Sequence, residues 1–203
     1  MCRIERLYYT QGLGIVPFMR AILPIEENAA LRSASKEIPQ DELTGSRLKK
    51  LIAEMKTLLA KEDFGVALAA VQVGDPVRLF IVSGRALARG ARNAEDEPHS
   101  GVDSRTSILE AIPDQVYINP RLLKLSRGKT LKHEGCLSVR GKWGEVPRAE
   151  KATLRYTDED GREHQRGASG FLAHIFQHEM DHLEGILYTD KAVELYDDAD
   201  KKE

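Results

Sequence analysis

The stretch FQHEMDHLEG, Phe176 to Gly185, constrains this chain more than any other. His178, Glu179 and His182 stand in the order H-E-x-x-H. On an α-helix the two imidazoles lie one turn apart and about 40° apart around the axis, so both can reach one ion with a carboxylate beside them. The flanks predict that helix, from about Ser169 to Glu184. Leu172, Ile175, Phe176, Met180 and Leu183 recur at helical spacing as a core stripe, Ser169 can cap the start and Gly185 can end it. Taken alone, the motif fits a metal site and a hydrogen-bonded core helix equally well.

A catalytic zinc-type site uses three protein ligands and leaves a position for water or substrate. In LEGILYTDKAVELYDD, after His182, no histidine follows; Glu184 is too close along the same helix to wrap round an ion, and Glu194 stays open as a downstream candidate. Cys136, in HEGCLSV, is the other candidate. In isolation it reads as a small buried hydrophobe. Joined to two helical histidines, it gives a mixed sulfur and nitrogen set suited to Zn or Fe, with the sulfur held deprotonated.

With 203 residues the chain is long enough for one domain with a sizeable core. Thirty basic against 32 acidic side chains, a net charge of -2, give no global field for nucleic acid or an anionic membrane. The two cysteines, Cys2 and Cys136, make a disulfide framework improbable and favour a reducing compartment. The first twenty residues do not read as a signal peptide, and no apolar run approaches the roughly 20 residues of a membrane-spanning helix.

Along the chain, Leu48, Leu51, Ile52, Met55, Leu58 and Leu59 predict an amphipathic helix near residues 45 to 60. Val77 to Val82 reads as a buried strand after a turn at Gly74, Asp75 and Pro76. Residues 84 to 114 are polar and glycine-rich, which predicts a surface excursion. Short strands are expected at Val116 to Asn119, Arg121 to Leu125 and Thr130 to Lys132, and a hairpin from Lys151 to His164. The tail after Asp190 is short and charged, so fraying is expected beyond its first turn.

Three motifs together resemble the peptide deformylases: GVALAAVQ from Gly65 to Gln72, EGCLS from Glu134 to Ser138, and QHEMDH from Gln177 to His182, in that family's order and separation. ILPI at 22–25 and VPRAEK at 146–151 are similar as well, so the resemblance covers roughly residues 20 to 190. It implies a metal-dependent hydrolase that removes the N-formyl group from the N-terminal methionine of newly synthesised proteins. Cys136, His178 and His182 would then hold one divalent ion, Fe(II) in many bacterial members and replaceable by Zn, Ni or Co. Glu179 would take the water proton and pass it to the leaving amine, while the Gln72 side-chain amide and the Leu137 backbone N–H would stabilise the oxyanion. Gly65, Val66, Ala67, Lys132, Phe171 and His174 would bind substrate, with Gly65 letting the peptide backbone approach. Glu134 and Asp181 would orient the ligands.

The implied fold is α+β, with short antiparallel strands in a partly open sheet around a central metal-binding helix. A single catalytic domain is expected over 1–203, with an N-terminal extension over 1–20, a polar surface insertion over 84–114 and a charged tail over 191–203. The implied partners are N-formyl peptides and nascent polypeptides, met in the cytoplasm at the ribosome.

The chain also departs from the family pattern. Ala67 stands where a second glycine is usual, His174 and Lys132 where aliphatic side chains are common, and Trp143 where a basic residue is often found. These changes predict a more polar pocket for the first side chain and an altered preference for formyl-methionine. His174 as a fourth ligand is disfavoured, because it drifts about 80° from His182 around the helix and would close the open position. Two other readings compete: an H-E-x-x-H endopeptidase, which lacks its downstream ligand, and a catalytically silent member that binds peptide N-termini.

Overall fold

The computed structural model describes residues 20–88 and 112–197. Most of the expected N-terminal extension, the middle of the 84–114 excursion and the end of the tail lie outside the described residues.

Helix α1, Ser46–Lys61, buries Leu48, Leu51, Ile52, Met55 and Leu59 along one face, as its periodicity requires. Among the described residues eight strands follow in two antiparallel sheets. The larger contains β1 (Ala67–Ala69), β2 (Leu79–Val82), β3 (Gln115–Leu125), β6 (Lys151–Thr157) and β7 (Glu163–Ser169), in the order β1-β2-β3-β6-β7. The smaller joins β4 (Lys129–Cys136), β5 (Val139–Ala149) and β8 (Glu194–Asp197). Helix α2, Gly170–Leu183, packs on β1, β6 and β7 of the larger sheet and also touches β5 of the smaller one.

Strand alternation divides the core between the two helices. Leu79, Ile81, Val116 and Ile118 face α1, where they pack with Leu51, Met55 and Leu59. Phe80, Val82 and Tyr117 face α2 and pack with Phe176, Met180 and Leu183. Strand β2, buried along its whole length, is therefore apolar at every position. Phe80 stacks on Tyr117 at 4.6 Å, and Tyr117 meets Phe176 edge-on at 5.2 Å, which fixes α2 against the sheet.

Several expectations shift. The strands predicted at Val116 and Arg121 are one strand, β3, whose register slips between Ile118 and Arg121, beside Asn119 with φ 48°. The Thr130 strand extends to Cys136. Strand β5 was not foreseen, because Gly141, Gly144 and Pro147 are poor strand formers. The tail does not fray at once: Glu194–Asp197 pairs with Lys142–Glu145 of β5. The excursion begins inside the core, since residues 84–88 form a helical turn with Ala86 and Ala88 buried.

Gly185 ends α2 at φ 73°, and a Cβ there would lie 2.8 Å from the backbone of Arg32 and Ser33. Gly141 has a similar φ of 75° with nothing within 4 Å. Gly141→Ala should therefore cost about 1 kcal/mol of left-handed strain, and Gly185→Ala about 3 kcal/mol or more because packed backbone must also move. Urea denaturation of the two variants measures that difference.

Candidate metal centre

Helix α2 presents His178 and His182 on one side, and β4 delivers Cys136 from the facing sheet. Cys136 is the last residue of β4 and pairs with Val139 of β5 across a two-residue turn, Leu137 and Ser138. A register shift at Gly135, between Glu134 and Cys136, re-aims the strand end. The Cys136 sulfur and one ring nitrogen from each histidine all lie within 4.8 Å of one another. Cys136 Sγ is 3.3 Å from His182 Nε2, and the two imidazoles stand nearly perpendicular.

One sulfur and two imidazole nitrogens converging in this way fit a divalent transition metal. His178 Nδ1 is bonded to Glu134 at 2.8 Å, which leaves its Nε2 as the ligating atom. Glu179 Oε2, buried one residue along, has no hydrogen-bond partner among the described residues, so a group held at this centre would answer an otherwise uncompensated carboxylate oxygen.

Glu134 organises the ligands. Its carboxylate takes two bonds from Arg148, at 2.6 and 2.9 Å, one from His174 at 2.9 Å and one from His178. Arg148 reaches on to Asp181 at 2.6 Å, and Lys191 closes the chain on Asp181 at 2.5 Å. Burial pushes the Glu134 carboxyl up, but Arg148, His174 and His178 outweigh it and hold it well below the usual carboxylate range. Burial likewise opposes ionisation of Cys136, yet the imidazoles of His182 and His178 bring its thiol well below the ordinary value, toward the thiolate that binds metals. Glu179 shifts the other way: burial raises its pKa, against the pull of His178 and His182.

The turn Ala70–Val73 carries Gln72 into the same centre. Gln72 Oε1 accepts from the Ala69 N–H at 2.8 Å, so its Nε2 points to Cys136 Sγ at 3.5 Å and Ser138 Oγ at 3.3 Å. The ILPI segment ties this turn to the Cys136 hairpin: the Leu23 N–H donates to the Gln72 carbonyl and the Ile25 N–H to the Ser138 carbonyl, each at 2.9 Å. Gln177 pins α2 to the end of β5 by bonding both the N–H and the carbonyl of Ala149.

A cavity of about 750 Å³ opens beside these groups. Cys136, His178, Glu179, Gln72 and Leu137 border it. So do Val66, Ala67, Phe171 and His174. Two expected substrate residues stand elsewhere. Gly65 is required by α1, because a Cβ would lie 2.8 Å from Leu59 Cδ1 and 2.9 Å from Glu62 Cβ. Lys132 is half-buried two residues before Glu134, opposite Val146. Neither Gly65 nor Lys132 is among the residues bordering the cavity. Glu194 lies on β8 and Glu184 pairs with Arg78, so neither joins the ligand group, and His174 bonds Glu134 instead. Sequence reasoning missed Arg148 and Ser138. A lone arginine at an inward position of β5 was the available sign for the first.

The sequence profile of the polypeptide deformylase family matches residues 19–198. The chain belongs to the peptide deformylase family. It is thereby a metal-dependent hydrolase that removes N-formyl groups from nascent polypeptides. A peptide deformylase of Roseiflexus sp. (strain RS-1) is 37% identical over 181 residues, covering 87% of this chain and 90% of that protein. One from Chloroflexus aggregans is 35% identical, with coverage of 87% and 89%. Among solved structures, the Met-Ala-Ser-bound class I type b peptide deformylase of Acinetobacter baumannii matches with a TM-score of 0.68 at 29% identity, over 85% of this chain and 98% of that one. The peptide deformylase of Thermotoga maritima matches at 0.67 and 27% identity, over 87% and 99%. The same α+β arrangement of antiparallel sheets and few helices is thus that of the deformylases.

Replacing Glu134 by alanine leaves the buried Arg148 with Asp181 as its one carboxylate partner among the described residues and frees the His178 ring. Glu134→Ala should cost about 3–5 kcal/mol of stability and about 10- to 100-fold in metal affinity, measured by denaturation and by chelator competition.

Proposed function

We propose that Cys136, His178 and His182 hold one divalent ion, Fe(II) in the cell with Zn, Ni or Co as replacements, and that Glu179 carries the proton in deformylation. The observation that carries this reading is the convergence of Cys136 with the two helical imidazoles beside a buried Glu179 oxygen that has no hydrogen-bond partner among the described residues. When bound, the ion supplies a Lewis acid that polarises the formyl carbonyl and makes water a better nucleophile. Glu179 takes the proton from the attacking water and hands it to the departing amine. Its burial, which favours the protonated carboxyl, suits it to hold that proton between the two transfers.

The Gln72 amide donates from Nε2 to the oxygen that becomes negative, and its orientation is fixed in advance by the Ala69 N–H. The Leu137 N–H, in the turn after Cys136, is the second donor. Among the described residues strand β1 is a sheet edge, paired only with β2, so an extended peptide can lie along Val66 and Ala67. Similarity to a deformylase bound to Met-Ala-Ser supports a short peptide as the ligand.

Phe171 and His174, from the first turns of α2, wall the pocket for the first side chain. Because Nε2 of His174 is held by Glu134, the imidazole stays in place and makes this pocket more polar than an aliphatic side chain would. Preference for formyl-methionine is correspondingly weakened. Residues 1–203 act as one catalytic domain on nascent chains in the cytoplasm, near the ribosome.

Anaerobically Fe(II)-loaded protein should release formate from formyl-Met-Ala-Ser, and a chelator should stop it. Glu179→Ala should lower turnover about 100- to 10,000-fold while keeping its metal. Metal-loaded wild type that binds the peptide without releasing formate would replace this reading with a peptide-binding one. In a panel of formyl peptides, His174→Ile should raise the preference for methionine over polar first residues by roughly 10-fold, and an unchanged ratio would remove His174 from the specificity pocket.

A further inference from the structure

The bonds that orient the ligands continue out to the surface. They run from His178 through Glu134, Arg148 and Asp181 to Lys191, whose side chain is 39% exposed. Asp181 is the vulnerable link. Its side chain is 12% exposed, with Oδ2 accepting from Arg148 Nη1 at 2.6 Å and Oδ1 from Lys191 Nζ at 2.5 Å. It also borders a second hollow, of about 550 Å³, together with Ser35, Arg78, Met180 and Glu184. Arg78, held there by Glu184 at 2.8 Å, is a rival guanidinium. A carboxylate on the wall of such a space has room to turn and another cation to turn toward. Occupying both of its oxygens removes that freedom.

Lys191 is itself placed with care. It follows the turn Tyr188–Asp190, and its N–H donates to the Tyr188 carbonyl at 3.0 Å. Tyr188 is buried; its hydroxyl donates to the Lys142 carbonyl at 2.9 Å, and its ring lies 6.2 Å from that of His178 with planes 23° apart. Asp190 pairs with Arg32 at 2.5 Å and accepts the Leu187 N–H at 2.8 Å. One anchored turn therefore carries a ring beside a ligand and the cation at the far end of that ligand's bonded chain.

We propose that Lys191 is a positioning residue for the metal centre: it holds Asp181 on Arg148, and through Arg148 and Glu134 it sets the His178 ring for the ion. The inference rests on the metal-binding reading above. Arg148 donates two bonds to Glu134 and one to Asp181, so its place is a compromise between two carboxylates. When Asp181 turns away, Arg148 loses its anchor on that side, and Glu134 no longer presents one fixed oxygen to His178 Nδ1. Lys191 is not among the described residues that border the catalytic cavity, so contact with substrate does not account for an effect on the metal. An ion pair this exposed contributes little to global stability. Its effect is therefore concentrated on the centre.

The test compares Lys191→Met and Lys191→Arg with wild type and with Lys56→Met. Lys56 is 32% exposed and pairs with Glu159 at 2.6 Å, joining α1 to the β6–β7 hairpin, so it is a similar ion pair with no bonded route to the ligands. Zinc affinity is measured by chelator competition, the visible absorption of Co(II)-loaded protein reports ligand geometry, and urea denaturation reports stability. Lys191→Met should weaken zinc binding about 3- to 10-fold, at or below the low end of what loss of a direct ligand partner costs, and should alter the Co(II) bands. Lys191→Arg should restore both. Lys56→Met should leave both unchanged while unfolding at a urea concentration close to that of Lys191→Met. In an Asp181→Asn background Lys191→Met should add nothing, because the route is already broken. Wild-type affinity and spectrum in Lys191→Met, an equal loss in Lys56→Met, or an undiminished loss in the Asp181→Asn background would overturn the positioning role and leave the metal centre standing. A wild type that binds no zinc would overturn the metal-binding reading and this inference with it.

Discussion

Everything at the centre depends on one buried carboxylate. Glu134 accepts four bonds, two from Arg148 and one each from His174 and His178, in a place where an unpaired charge would be prohibitive. Arg148 in turn needs Asp181, and Asp181 is reached from the surface by Lys191. The chain of charges joins β4, β5, α2 and the segment after α2, so those elements keep one relative position or none. A buried ion pair of this kind contributes little net stability compared with apolar packing. Its value is orientation: it fixes which nitrogen of His178 faces Cys136.

Apolar packing supplies the rest of the frame. The Phe80, Tyr117 and Phe176 rings seat α2 on the larger sheet, and Gln177 clamps it to Ala149 of the smaller one. The ILPI segment then strings the Gln72 turn to the Cys136 hairpin through two backbone bonds. Groups far apart in sequence, Gln72, Leu137 and Glu179, thus border one cavity.

What could be read from the sequence followed from how local each signal is. Both helices were legible because their apolar periodicity and end signals are confined to single segments, and H-E-x-x-H carries its own geometry. Cys136 was legible only in company, since a lone cysteine between strands reads equally as core. Strands β5 and β8 were missed because pairing across the sheet overrides the poor strand propensity of Gly141, Gly144 and Pro147 and of a charged tail. Gly65 was given a role beside the substrate, whereas its nearest neighbours are Leu59 and Glu62 of its own chain. Arg148 escaped notice because its partner, Glu134, is contributed by another strand, and no spacing rule links them.

The account's central claim is that Cys136 and two imidazoles form one metal-binding set. X-ray absorption on protein loaded with one equivalent of Zn tests it most directly. The account predicts one sulfur at about 2.3 Å with at least two imidazole nitrogens at about 2.0–2.1 Å, and loss of the sulfur signal in Cys136→Ser. A zinc environment without sulfur, or one unchanged by Cys136→Ser, would contradict it.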